Sequence, residues 1–350
     1  MHDIVIVIAD LYLPAEADGA AQQAAASFAD IPGLEAVARF GQRHALESGW
    51  RSWLAGHLGR ADLADVAPAS IAAAVLNGAD PPDPPTPQGT TRWIASPVHL
   101  SAGLTRVHLD HRGLLRLGAA QLSELAADFA RTLGMSGFSL TPLPSGDFLF
   151  STPGILALPT PEPARFAGAI VSEVVPASSA AAPLRRLLAE IEMWLHGHPV
   201  NEARARQGEP AVTALWVWGA EGRALSPHSR TTADMPAAFG RDAWLDGLWH
   251  LQGGSCSGWP EDLHAVLASG HERAVLVAQV GGPLEGSDHS TVTEALARLD
   301  ERFVAQAWAA LRSGRLAGLT VILNDSRASV GRASRFKLWR RRSHALQGFA

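Results

Sequence analysis

Histidine, asparagine and arginine come together in the run His198-Pro199-Val200-Asn201-Glu202-Ala203-Arg204, the stretch of this chain best suited to chemistry. A helix is expected to end near Gly197, where glycine suits a left-handed C-terminal turn. Pro199 then opens a second, short helix. Backbone N–H groups left free at such a start favour an anion, and an arginine adds a two-pronged donor. His198, Asn201 and Arg204 are therefore candidate ligand-binding residues. The same three could instead cap the helix and brace the loop that follows. His196 and His198 have no carboxylate at ligand spacing beside them, so they do not by themselves indicate a metal.

Other chemistries are narrowed by what the chain lacks. Lys337 is the only lysine, so a Schiff base or a lysine phosphate clamp has one candidate. Cys256 is the only cysteine, which excludes an internal disulfide and a cysteine-built zinc site. Gly253-Gly254-Ser255 is not followed by the Lys-Ser/Thr of a phosphate loop, and neither a GxSxG elbow nor a GxGxxG turn occurs. His108-Leu109-Asp110-His111 looks ligand-like but continues an alternating strand. The segment 332–342 carries six basic residues and two aromatics. It could touch nucleic acid, but the alternation around Phe336 and Leu338 also fits a basic edge strand or a solvated tail. Of the eleven tryptophans, Trp244 and Trp249 share helical spacing with Leu245 and Leu248, which reads as core.

Elements able to position these residues follow from hydrophobic pattern. The run Asp3 to Asp10 is short, continuous and β-branched, as in a strand buried on both faces of a parallel sheet. Similar runs occur at 273–280, 318–323 and 214–218. A helical pattern over 290–313, with Ser287 or Asp288 as N-cap, joins two of them into a βαβ unit. Asp80 to Pro87 is too rich in proline for helix or central strand. Beyond it, 91–100 and 105–110 alternate as strands, 114–133 is helical, and 138–140 and 147–150 are strand-like again. A helix over 184–196 is expected to return the chain to the main sheet. The expectation is an α/β core from 1–89 and 176–350, with an inserted α+β domain over 90–175. With 350 residues, 47% hydrophobic and 18% charged, the chain can bury such cores. A net charge of −5 gives no general affinity for nucleic acid or membrane. No run is long enough for a signal segment or a membrane span, so a cytoplasmic location is expected.

The motif HPVNxxRxxxGxPAxxxxWxWG over 198–219 is similar to a signature of the archaeal-type, cofactor-independent phosphoglycerate mutases. It is more similar still to the RpfE-type regulatory proteins of bacteria. Asp10-Leu11-Tyr12-Leu13-Pro14, Ala95 to Leu100, and Phe336, Leu338, Trp339 and Arg340 also fit. The resemblance implies an alkaline-phosphatase-like parallel or mixed sheet flanked by helices. It also implies an ancestral site of two divalent metals and a Ser or Thr nucleophile, which Ser70 matches in position. Ser70 also reads as the N-cap of a helix over 71–76.

The implied metal ligands are thinned out. Asp10 is kept, but Leu11 replaces the glycine that follows it. After the strand at 275–280 the Asp-to-His spacing is lost, leaving Glu285, Asp288 and His289. After the strand at 320–323 the chain reads Asn324-Asp325-Ser326, without histidine. Asp10, Asp325, Asp288 and His289 are too few to hold two ions, each of which needs several convergent ligands. The expectation is thus a non-catalytic regulatory protein without a cofactor, binding a small anionic ligand or a protein partner. A divergent metal-dependent phosphatase with Ser70 as nucleophile is the alternative, and nucleic-acid binding through the basic tail is a further one.

Overall fold

The computed structural model describes residues 2–11, 31–78, 89–103, 106–167, 169–171, 178–220, 235–280, 292–323 and 325–333. Its elements begin with β1 (His2–Ile8), α1 (Pro32–Phe40), β2 (Gln42–Ala45), α2 (Gly49–His57) and α3 (Pro68–Ala72). Next come β3 (Thr90–Ala102), β4 (Val107–Leu114), α4 (Ala119–Thr132), β5 (Ser139–Pro142), β6 (Phe148–Pro153) and β7 (Ala169–Val171). The middle of the chain forms α5 (Ala182–His196), α6 (Pro199–Arg206), β8 (Ala214–Trp218), β9 (Ala237–Gly240) and α7 (Ala243–Leu251). The last elements are α8 (Leu263–Ala268), β10 (Arg273–Ala278), α9 (Val292–Leu299), α10 (Ala305–Arg312), β11 (Leu316–Leu323) and β12 (Ser326–Gly331). The chain divides into two compact units. One holds Met1–Ala64, Thr232–Gly240 and Cys256–Ala350; the other holds Asp65–Thr231 and Arg241–Ser255.

In the first unit the sheet order is β2-β12-β11-β1-β10-β9. β1 lies between β10 and β11 and is parallel to both. That central place explains its unbroken apolar run, since both faces are covered. Ile4, Ile6 and Ile8 pack on one face with Leu276, Leu319 and Val321, beneath Leu34, Val37, Leu299 and Phe303 of the helical layer. The helical pattern over 290–313 proves to be α9 and α10 joined by a π-helical turn at Asp300–Val304. Its proposed N-cap, Ser287 or Asp288, lies outside the described residues.

The π turn brings Asp300, with no exposed surface, to the start of α1. Its carboxylate accepts hydrogen bonds from the N–H groups of Gly33 (2.9 Å) and Leu34 (2.6 Å). A Cβ on Gly33 would stand 2.4 Å from the Ala305 nitrogen, so only glycine lets the two segments approach this closely.

In the second unit the order is β5-β6-β3-β4-β7, with β8 also paired to β3. α4 and α5 contribute Leu122, Leu125, Phe129, Leu187, Ile191 and Leu195 to a core with Trp93, Phe148, Phe150, Leu215 and Val217. β8 and α5 therefore belong here, whereas the sequence pattern assigns them to the main sheet. A continuous apolar run signals burial on both faces and carries no information about which sheet it joins. β8 pairs antiparallel with β3 over Ile94 to Val98. Its two indoles are satisfied on this unit: Trp216 donates to the Pro161 carbonyl (2.8 Å) and Trp218 to the Ser96 hydroxyl (3.0 Å). The unit is accordingly wider than the expected 90–175 insertion.

Candidate functional site

The His198–Arg204 stretch lies in the second unit, where α5 gives way to α6. Gly197 has φ −104°, outside the left-handed region, and a Cβ there would meet nothing within 4 Å. The turn does not depend on glycine. His198 is instead the N-cap of α6: its Nδ1 accepts from the Val200 N–H at 3.1 Å. An accepting Nδ1 places the proton on Nε2. Nε2 lies 3.3 Å from Asp128 Oδ2 but is too poorly aimed for a hydrogen bond, so that contact is electrostatic. The same carboxylate oxygen accepts from the Trp194 indole at 2.7 Å, and Arg131 pairs with Oδ1. Trp194 also packs edge-on against the His198 ring.

Asn201 uses both ends of its amide on the chain itself. Nδ2 donates to the carbonyls of Leu195 (2.8 Å) and Val212 (2.9 Å), and Oδ1 accepts from the Val212 N–H (2.7 Å). Arg204 is 5% exposed. Its Nε donates to the Pro210 carbonyl at 2.7 Å, while Nη1 meets Gln121 Oε1 at 3.1 Å and Glu209 Oε2 at 2.9 Å. Burial pushes its pKa down, and the Glu209 charge acts in the opposite sense. Nothing local in the sequence marks Asp128, Gln121 or Trp194 as partners; only Trp194 and His198, four apart across a helix end, hint at a shared face. The last motif residue, Gly219, has φ +73°, and its carbonyl accepts from the Ala69 N–H, pinning α3.

Ser70 lies in that same helix. α3 begins at Pro68, ahead of the expected start at 71, so Ser70 is its third residue and not its N-cap. The side chain is half-buried. Asp10 and Asp325 belong to the first unit. Asp10 is 3% exposed and follows β1. Its Oδ1 accepts from the Val280 N–H at 2.6 Å, which ties the end of β1 to the segment leaving β10. Asp325 sits in the tight turn joining β11 to β12, and its carbonyl accepts from the Leu46 N–H. Glu285, Asp288 and His289 lie outside the described residues, as do Tyr12 to Pro14 and Phe336 to Arg342. Among the described residues, no three His, Cys, Asp or Glu side chains are grouped so as to hold a metal ion. The described donors therefore do not fit a two-ion centre. Among them also, no helix is long and apolar enough to cross a membrane.

No family model matches the chain. No curated protein matches it either. Among solved structures it is similar to the cofactor-independent phosphoglycerate mutase of Thermoplasma acidophilum, at 18% identity and a TM-score of 0.37 over 94% of this chain and 89% of that one. It is also similar to a protein from Pyrococcus horikoshii, at 12% identity and a TM-score of 0.40 over 94% of this chain and 87% of that one.

Proposed function

We propose that the protein is a non-catalytic regulatory protein on a phosphoglycerate-mutase-like scaffold, of the RpfE kind, that responds to a small anionic ligand or a protein partner. The observation that carries this reading is the use made of the strand-tip carboxylate. Asp10 sits where the resemblance calls for a metal ligand, yet it is buried and holds the Val280 backbone N–H at 2.6 Å. One oxygen of this carboxylate is spent on closing its own strand ends, which leaves less for an ion that needs several oxygens. Asn201 and Arg204 spend donors on the carbonyls of Val212 and Pro210, and Arg204 also meets Gln121 and Glu209, so these two brace the loop and the anionic ligand is not assigned to them. Elemental analysis of the purified full-length protein, with a phosphatase and mutase assay in Mg²⁺ or Mn²⁺, tests the reading. Substoichiometric divalent metal and no turnover are expected. Stoichiometric metal with phosphoryl release that disappears in Ser70→Ala would overturn it in favour of a phosphatase or mutase.

A further inference from the structure

On the first unit, Arg327 of β12 lies over the indole of Trp53 from α2, its guanidinium carbon 5.1 Å from the ring centroid. His57, one turn further along α2, stacks on the same indole at 4.8 Å and an interplanar angle of 14°. Stacking holds the guanidinium flat and fixes its rotamer, so that less entropy is lost when its N–H fork meets a planar or tetrahedral oxyanion. Arg327 nevertheless meets no carboxylate among the described residues, and its Nε is buried without any acceptor. A buried donor left unmade is costly, and at this guanidinium an acceptor is missing.

Two imidazoles stand beside this guanidinium. Arg327 stands directly opposite His44 of β2, so both side chains leave the same face of the sheet. His44 is exposed, on an edge strand. His57 is held below the usual imidazole range by burial first and then by the charges of Arg273 and Arg327, against the opposing effect of Asp3.

We propose that Arg327, laid on Trp53 beside His44 and His57, is the centre of a binding site for an oxyanion of the phosphate class. The site does not rest on the regulatory reading, since an enzyme on this scaffold would carry it equally. Thermal unfolding with inorganic phosphate, against chloride and acetate at matched ionic strength, reads it. Phosphate is expected to raise the midpoint saturably where chloride and acetate do not. Arg327→Lys, which keeps the charge and loses the fork, is expected to weaken apparent affinity about tenfold. In the wild-type protein, phosphate should also shift the imidazole NMR signals of His44 and His57 along the same saturation curve. Stabilisation no greater than that by chloride, equal binding by Arg327→Lys, preference for acetate, or unmoved imidazole signals would each overturn the proposal.

Discussion

Asn201 and Val212 are joined by two opposed hydrogen bonds, Val212 N–H to Oδ1 at 2.7 Å and Nδ2 to the Val212 carbonyl at 2.9 Å. The side-chain amide thereby imitates the backbone of a neighbouring strand, satisfying both polar groups of one residue as an antiparallel partner would. Val212 has no exposed surface, and its backbone has to be satisfied before the chain can enter β8. The third bond, to the Leu195 carbonyl, ties the same amide to the last turn of α5. Helix end, loop and strand start are thus held by one side chain.

Asn201→Asp should break this arrangement while changing almost no volume. The carboxylate keeps an acceptor for the Val212 N–H but turns oxygen toward the carbonyls of Leu195 and Val212. Two buried carbonyls lose a donor and face a charge instead. The expected loss is about 2–4 kcal/mol of stability. Urea unfolding measures it, and hydrogen exchange at the Leu215 to Val217 amides should accelerate before the first-unit strands do. Unchanged exchange in β8 would show that the loop is held by other means.

Arg204 and Glu209 separate two contributions that occur at one side chain. Glu209 is largely solvated, 46% exposed at the side chain, so its ion pair is screened. Glu209→Gln should cost less than about 1 kcal/mol. Arg204→Met keeps the stem packing and removes the donors to the Pro210 carbonyl and Gln121. It should cost about 2–3 kcal/mol because those acceptors are left unpaired. Comparable losses in the two variants, measured by urea unfolding, would place the energy in the ion pair.

Gly247 of α7 lies against α3, and a Cβ there would stand 2.0 Å from the Ile71 carbonyl oxygen. The contact is to backbone, which cannot turn aside as a side-chain end can. Gly247→Ala should therefore destabilise the second unit by about 3 kcal/mol or more, outweighing the gain in helix propensity of about 1 kcal/mol. A lowered thermal midpoint is the readout; an unchanged midpoint would mean that the helices separate without cost.

How far the sequence reveals this structure depends on the range of each interaction. β1, β10 and β11 are legible because burial on both faces leaves a run of apolar residues that no surface strand tolerates. β8 gives the same run, yet its partner strand, β3, lies more than a hundred residues earlier, and no local pattern records that pairing. Asn201 is visible as a polar residue at a helix start. Its partners are carbonyls six and eleven residues away, so its bracing role can be weighed against anion binding but not decided from sequence. Neither Arg327 nor Trp53 stands out in the sequence, since each is ordinary in its own element and unusual only as a pair. The same is true of Asp300, which reads as a polar residue on an amphipathic helix until the π turn carries it into the core.

Asp300 should make the first unit's stability fall as pH rises across the mildly acidic range. Burial raises its pKa to about 6, with Glu35 adding to the effect and the Gly33 and Leu34 N–H groups opposing it. In the unfolded chain the same carboxyl titrates near 3.8. Between those values the folded state binds the proton more firmly, so ionising conditions favour unfolding. Its contribution is greatest below the unfolded pKa and is lost as pH climbs through about 6. The difference is worth about 3 kcal/mol as an order of magnitude. Other carboxylates titrate in the same range, so the informative quantity is wild type minus Asp300→Asn, in which this one group no longer ionises. That difference should decline by about 3 kcal/mol between roughly pH 4 and pH 7 in urea unfolding. The substituted amide can cap α1 with a single acceptor oxygen, which lowers the variant's whole curve without giving it a slope. A pH-independent difference would show that the carboxylate is ionised throughout, with the two α1 N–H groups outweighing its burial.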